Sequence, residues 1–205
     1  MTDTQKLIRT VLFYGGIWGL CEATLGYLLH LLPCGFSGMI MFPIGFGLMT
    51  SAWRISGSRS AMAGAALIAV AIKLADLLIP LQPAIRTLNP VVAILLEALV
   101  VVGFVTLFND RHVLLKTVSM GFSWVLLLIA AQAVLRPADG LYLKPFPEML
   151  GFILLNAGVS GLLAGGYLRK ADWSFWRPRL PRLALLQSFG LIAIAIICEL
   201  ANSLL

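Results

Sequence analysis

The chain is short of charge. Of its 205 residues only 12% are charged, against 60% hydrophobic, and the mean hydropathy is +0.96. A soluble domain usually carries about 25% charged residues. No soluble core of this length could hide so much apolar surface, so the bilayer must be the solvent. Cysteine is scarce as well. Cys21, Cys34 and Cys198 form no CxxC and no zinc-ligand spacing, which indicates neither a disulfide framework nor a structural metal. There is no Walker loop, so the chain has no ATP site of its own. It also lacks HExxH, GxSxG and a Ser/His/Asp set at membrane depth. No paired nucleophile stands out, so an enzyme is not indicated, and no cofactor is implied. No fixed-period repeat and no low-complexity tract is present. The first apolar run is longer than a signal-peptide core and lacks a clear A-x-A site, so it reads as a retained span.

What is present is a series of apolar runs with short basic connections. Seven stretches can each span roughly 30 Å of hydrocarbon at 1.5 Å per residue. They lie near 8–32, 35–53, 60–80, 87–108, 115–135, 148–168 and 183–205. The second is the shortest and contains Pro43 and four glycines, a composition open to a kinked or re-entrant path. The expected fold is therefore an all-α polytopic transmembrane bundle of six to seven spans, forming a single membrane domain over 1–205.

The net charge of +6 and pI of about 9.6 could suggest nucleic acid. The placement of the basic residues argues otherwise. With a cytoplasmic N-terminus and seven crossings, eleven fall inside: Lys6, Arg9, Arg54, Arg59, Arg111, Lys116, Arg169, Lys170, Arg177, Arg179 and Arg182. Three fall outside, Arg86, Arg136 and Lys144, and Lys73 lies within a span. This is the positive-inside bias of an inner-membrane protein, and it supports 35–53 as a true crossing. The connection RKADWSFWRPRLPR (169–182) interleaves Trp173, Phe175 and Trp176 with cations. It reads as an interfacial aromatic belt, or as a docking surface for anionic lipid or a cytoplasmic partner.

Charged side chains within a membrane cost at least about 2.5–3.5 kcal/mol each, which makes them functional candidates. Glu22 lies near the middle of the first span, Lys73 and Asp76 in the outer half of the third, and Glu97 near the middle of the fourth. Asn156 lies in the outer half of the sixth, with Glu199 and Asn202 toward the outer end of the seventh. Arg86 and Asn89 mark the outer entry of the fourth span, and His30 the outer exit of the first. All of these fall at mid-depth or above. A polar cavity open to the outside and closed below has this distribution, whereas a channel would be polar along its full length.

Helical spacing favours convergence. Lys73 and Asp76 are i,i+3. Arg86 and Glu97, eleven apart, return to within about 20° of one stripe, with Pro90 on it. Glu22, Gly26 and His30 step by four. The candidate substrate-binding set is Glu22, Lys73, Asp76, Arg86, Glu97 and Asn156. The structural alternatives are an ion pair of Lys73 with Asp76 or Glu97, carboxyl bridges from Glu22 and Glu97, and a merely hydrated Glu199. His30 and Cys34, i,i+4 across Pro33, are a weak pair for a transition metal, and no metal site is assigned on them.

Small residues form stripes: Gly15, Gly19 and Ala23; Ala61, Ala65 and Ala69; Ala157, Gly161 and Gly165. They serve either close internal packing or contact with a second membrane subunit. A small basic membrane protein with the Gly15–Gly19–Ala23 stripe on its first helix, and polar groups confined to the outer half, resembles the substrate-binding subunits of energy-coupling-factor transporters. The resemblance covers the architecture of the whole chain without a strict motif. It implies capture of a vitamin-like or metal-containing small molecule from outside. It also implies a transmembrane coupling subunit and two ATPases as partners, with Gly15, Gly19 and Ala23 as the contact face. The rival expectations are a stand-alone proton-coupled carrier, a membrane enzyme acting on lipids or isoprenoids, and an accessory protein whose charges are structural.

Overall fold

The computed structural model describes residues 2–30, 36–78, 83–107, 112–138, 140–170 and 184–204. Every regular element among them is helical. Helix α1 (Asp3–Cys21) continues through a π-helical segment (Glu22–Gly26) into α2 (Tyr27–His30). Then follow α3 (Phe36–Ser56), α4 (Ser60–Leu74) with a 3-10 turn (Ala75–Leu78), α5 (Ala84–Leu107) and α6 (Val113–Leu135). A second 3-10 turn (Leu141–Leu143) precedes α7 (Phe146–Lys170) and α8 (Ala184–Leu204). The chain is an all-α bundle. Six of its helical stretches are long and apolar enough to cross a membrane: Asp3–Leu29, Ser60–Leu78, Ala84–Leu107, Val113–Leu135, Phe146–Arg169 and Leu185–Asn202.

Several helices extend past their apolar cores. The first starts at Asp3 rather than near 8, because Thr2 caps it. The Thr2 hydroxyl accepts from the Gln5 N–H at 3.3 Å, and the Gln5 side chain accepts from the Thr2 N–H at 3.3 Å. This reciprocal box satisfies two otherwise unpaired donors, so capping sets the helix start where hydropathy does not. Helix α3 runs on past 53 to Ser56 and ends at Gly57. There a φ of +78° lets the N–H of Gly57 reach the Trp53 carbonyl at 2.8 Å. Arg59 then lies over the Trp53 ring, 5.8 Å from its centroid.

Helix α3, the shortest of the expected spans, is a central helix. It packs against α1, α4, α5 and α7. Met41, Phe42, Phe46, Leu48, Met49, Thr50, Ser51 and Ala52 are all buried. A helix surrounded by protein needs shape more than hydropathy, which accounts for its glycines. A Cβ on Gly38 would come within 2.6 Å of the Trp124 ring, and one on Gly47 within 3.2 Å of Tyr167. Gly45 has the Glu97 carboxylate and the Trp18 ring against it.

The direction of the helices follows from the same contacts. Gly64 receives Val11, Gly15 receives Ile68, and Gly19 receives Ile72. Both numbers rise together by equal steps, so α1 and α4 run parallel. Two parallel helices adjacent in the chain's order need a full-length return between them, and α3 provides it. Helices α6 and α7 are instead antiparallel: Gly121 meets the Ala157 carbonyl, Gly161 meets Val118, and Gly165 meets Leu114.

The small-residue stripes are therefore spent inside the bundle. A Cβ on Gly15 would stand 2.5 Å from Ile68 Cβ and 2.8 Å from the Ala65 carbonyl oxygen, and Gly19 is covered by Ile72. Ala23 is buried. The expected partner face of Gly15, Gly19 and Ala23 is covered by the chain's own helices. Spacing alone cannot tell these uses apart, because any helix that approaches closely selects the same residues.

At Gly161 the nearest atom is backbone, Val118 Cα at 2.5 Å, which no side-chain movement can relieve. Gly161→Ala is expected to destabilise the protein by about 1–3 kcal/mol, read as thermal unfolding of the purified protein. Gly166→Ala has open space around the new methyl. It is expected to be neutral, or stabilising by up to about 1 kcal/mol. Equal effects of the two substitutions would contradict the close packing of α6 on α7.

Candidate functional site

A cavity of about 600 Å³ opens at one end of the bundle. Its walls are the N-terminal ends of α3 (Ser37, Gly38, Met41), α5 (Asn89, Pro90, Ala93, Ile94, Glu97) and α7 (Phe152, Asn156). The C-terminal half of α6 (Trp124, Leu128, Gln132) and Glu22 of the π segment complete them. The connection from Arg136 to Pro145 borders the mouth. Pockets of about 300–1,000 Å³, mostly apolar with a few convergent polar groups, are the usual form of small-molecule sites.

Glu97 forms the floor. It is only 3% exposed, and its Oε1 has no hydrogen-bond partner. Gly45 makes the room, since any larger residue there would meet the carboxylate. Trp18 is fully buried beside it, with its indole Nε1 placed as a donor toward the Glu22 carboxylate. Glu22 is half-buried and reaches the cavity from the π segment, where the helical ladder is locally widened. Such single-turn widenings occur frequently at functional sites. This one is fastened on both sides. Gly26 leaves space for the Glu22 carboxylate, 3.1 Å from where a Cβ would stand. Asn202 of α8 donates to the Ala23 carbonyl at 2.6 Å.

Amides line the upper wall. Gln132 donates to Asn89 Oδ1 at 3.4 Å and accepts from the Leu141 N–H at 3.3 Å, which ties the α6–α7 connection over the mouth. Asn156 is buried, and its Nδ2 bonds back to the Phe152 carbonyl at 3.1 Å, leaving its Oδ1 as a potential acceptor. Trp124 donates to the Ala93 carbonyl at 3.2 Å, which fixes its ring against the cavity. At the rim, Lys144 pairs with Glu148 at 3.6 Å, one helical turn along. Arg136 lies at the C-terminal end of α6.

Beyond Glu97 the polar groups change character. Thr10, Thr50 and Ser51 donate to carbonyls four residues back on their own helices, and Thr117 and Ser160 to carbonyls three back. Ser51 also meets the Tyr167 hydroxyl at 3.1 Å. These hydroxyls are satisfied where they stand. Between them pack Phe46, Met49, Val101, Met120 and Val125, all at most 1% exposed.

The structure brings together three of the six expected substrate-binding residues: Glu22, Glu97 and Asn156. The other three do not line the cavity. Lys73 bridges Asp76 at 2.9 Å and Glu199 at 2.7 Å, locking α4 to α8. Glu199, expected to be hydrated, is fully buried. Arg86 is exposed on the first turns of α5, three residues before Asn89. It shares the stripe of Glu97, but the stripe leaves the cavity about 4.5 Å short of it. Gln132, Trp124 and the π segment went unread. Gln132 is the only amide within the 115–135 run, a signal that could have been used. The His30 side chain and Cys34 lie outside the described residues, as does the connection 171–183. No group of three or more His, Cys, Asp and Glu suited to a metal occurs among the described residues.

Comparison with protein-family models, curated proteins and solved structures finds no match to this chain.

The Lys73 cluster generates a stability test. Lys73→Met would leave Asp76 and the buried Glu199 facing each other without a counter-charge. The expected loss is about 3–5 kcal/mol, as for a buried pair with one partner removed. The triple variant Lys73→Met, Asp76→Asn, Glu199→Gln is expected to recover most of it in thermal unfolding. A single variant as stable as the triple would show that the cluster carries no structural charge balance.

Proposed function

We propose that this protein is a membrane-embedded solute-binding or transport subunit that takes up a small molecule from the outer face of the cell's inner membrane. The carrying observation is Glu97, a buried carboxylate with an unpartnered oxygen at the floor of a roomy cavity that opens at one end of the bundle. Burying such a group is costly, and a folded chain with no use for it would pack the position with apolar side chains. The excess of Lys and Arg in the connections at the opposite end supports a cavity mouth facing outward and an N-terminus in the cytoplasm. The closed packing beyond Glu97 fits a binding vestibule rather than a pore.

This reading keeps the resemblance to the substrate-binding subunits of energy-coupling-factor transporters, with a coupling subunit and ATPases supplying the drive. Such a coupling subunit would dock on a face other than Gly15, Gly19 and Ala23, which α4 covers. A proton-coupled carrier is the second reading, favoured by the same buried carboxylate, which could load and release a proton. The two separate cleanly. Uptake by the first depends on companion ATPases. Uptake by the second runs in their absence and stops on Glu97→Gln.

Native mass spectrometry after gentle extraction from the cell's own membrane tests the binding reading. The expected outcome is a co-purified small molecule that is lost in Trp124→Ala and Glu97→Ala and kept in the stabilised Lys73/Asp76/Glu199 triple variant. Protein that emerges without ligand and without companions would count against it.

A further inference from the structure

The chemistry of the cavity narrows what it holds. Its floor carries two carboxylates from different helices, Glu22 and Glu97. Among the described residues, the only cations in the cavity lining are Arg136 and Lys144. Lys73, on α4, bridges Asp76 and Glu199 and does not line the cavity. Lys144 and Arg136 line only the mouth, and Lys144 pairs with Glu148. Depth separates them from the floor. Gln132 and Asn89 meet at one level, Arg136 stands one turn above it, and Glu97 lies eight residues below. At 1.5 Å per residue the backbone separation along the bundle is roughly 18 Å. Aromatic rings and apolar side chains fill the interval: Trp124, Ile94, Leu128 and Phe152. Opposite charges in a low-dielectric medium attract strongly, and an indole face adds a preference for cations.

We propose that the ligand of this cavity is an organic cation: a molecule with one fixed or protonated positive centre seated between Glu22 and Glu97, and an aromatic or apolar body along Trp124 and Phe152. The inference rests on the solute-binding reading and names its ligand class. A bare metal ion does not fit, because two carboxylates in a cavity of about 600 Å³ leave most of the coordination shell and most of the volume unfilled. The amides of Asn89, Gln132 and Asn156 supply donors and acceptors for neutral polar groups on the body.

Three compounds of nearly one shape test the proposal: 1-methylnicotinamide (cation), nicotinamide (neutral) and nicotinate (anion). Each is titrated by calorimetry and by thermal shift into the purified full-length protein in lipid nanodiscs. The cation is expected to bind at least about tenfold tighter than the neutral compound, with nicotinate weakest. Glu97→Gln and Glu22→Gln should each remove that preference, while Glu97→Asp retains part of it. Thermal unfolding of each ligand-free variant near the wild-type temperature shows that the variants fold. Equal binding of all three, or preference for nicotinate, overturns the cation class. If that binding is still lost in Trp124→Ala, the solute-binding reading survives. If none of the three binds, the cation class falls, and the co-purification experiment decides the binding reading separately.

Discussion

The close approach of α3 to its neighbours is the constraint on which the other features depend. Three glycines on this helix receive three bulky side chains from three other helices: Trp124 at Gly38, Glu97 at Gly45 and Tyr167 at Gly47. In lipid there is no hydrophobic gain from bringing helices together, so association relies on packing and on polar groups that find partners. Glycine at the contact lets side chains rather than gaps occupy the space. The result is asymmetric along the bundle. Toward one end the helices close on Phe46, Met49 and Val101, and hydroxyls fold back on their own carbonyls. Toward the other they diverge around Glu22, Glu97 and the amides. The cavity is what remains where close packing stops.

Two polar systems share that end without merging. The Lys73–Asp76–Glu199 cluster binds the chain's last helix to α4, and Asn202 fastens the same helix to the π segment of the first span. Both contacts are charged or charge-like anchors for a helix whose outer surface is otherwise apolar and exposed, as at Leu186, Phe189, Ile194 and Ile197. The π segment they steady is the one that turns Glu22 toward the cavity. The Lys73 cluster thus lies close enough to act electrostatically on Glu22 without lining the cavity.

Much of this was legible in the residues and some of it was not. The all-α bundle followed from composition, and the depth of the cavity from the cost of charge in lipid, which singled out Glu22, Glu97 and Asn156. The Lys/Arg bias favours a full crossing for α3. What could not be read was which side chain meets which. Lys73 and Glu199 lie 126 residues apart and are joined only by tertiary packing, so helical phase gives Lys73 a direction but no neighbour. Arg86 shared a stripe with Glu97, and a stripe has no marked end. Gly15 and Gly19 announced a close contact without saying whether the other helix was the chain's own. The π segment has no residue-type signature, and in a run apolar on nearly all faces the phase shift of its extra residue cannot be read.

The proposed uptake from outside requires a cavity that faces outward and is sealed beyond Glu97. Two serines on α3 test this directly: Ser37 at the cavity mouth and Ser51, buried in the closed half. With Cys21, Cys34 and Cys198 replaced by serine, Ser37→Cys and Ser51→Cys would be treated in intact cells with a membrane-impermeant thiol reagent. The account predicts labelling of Ser37→Cys from outside, and no labelling of Ser51→Cys from either side. Labelling of Ser37→Cys only after the cells are opened, or equal labelling of both positions, would contradict it.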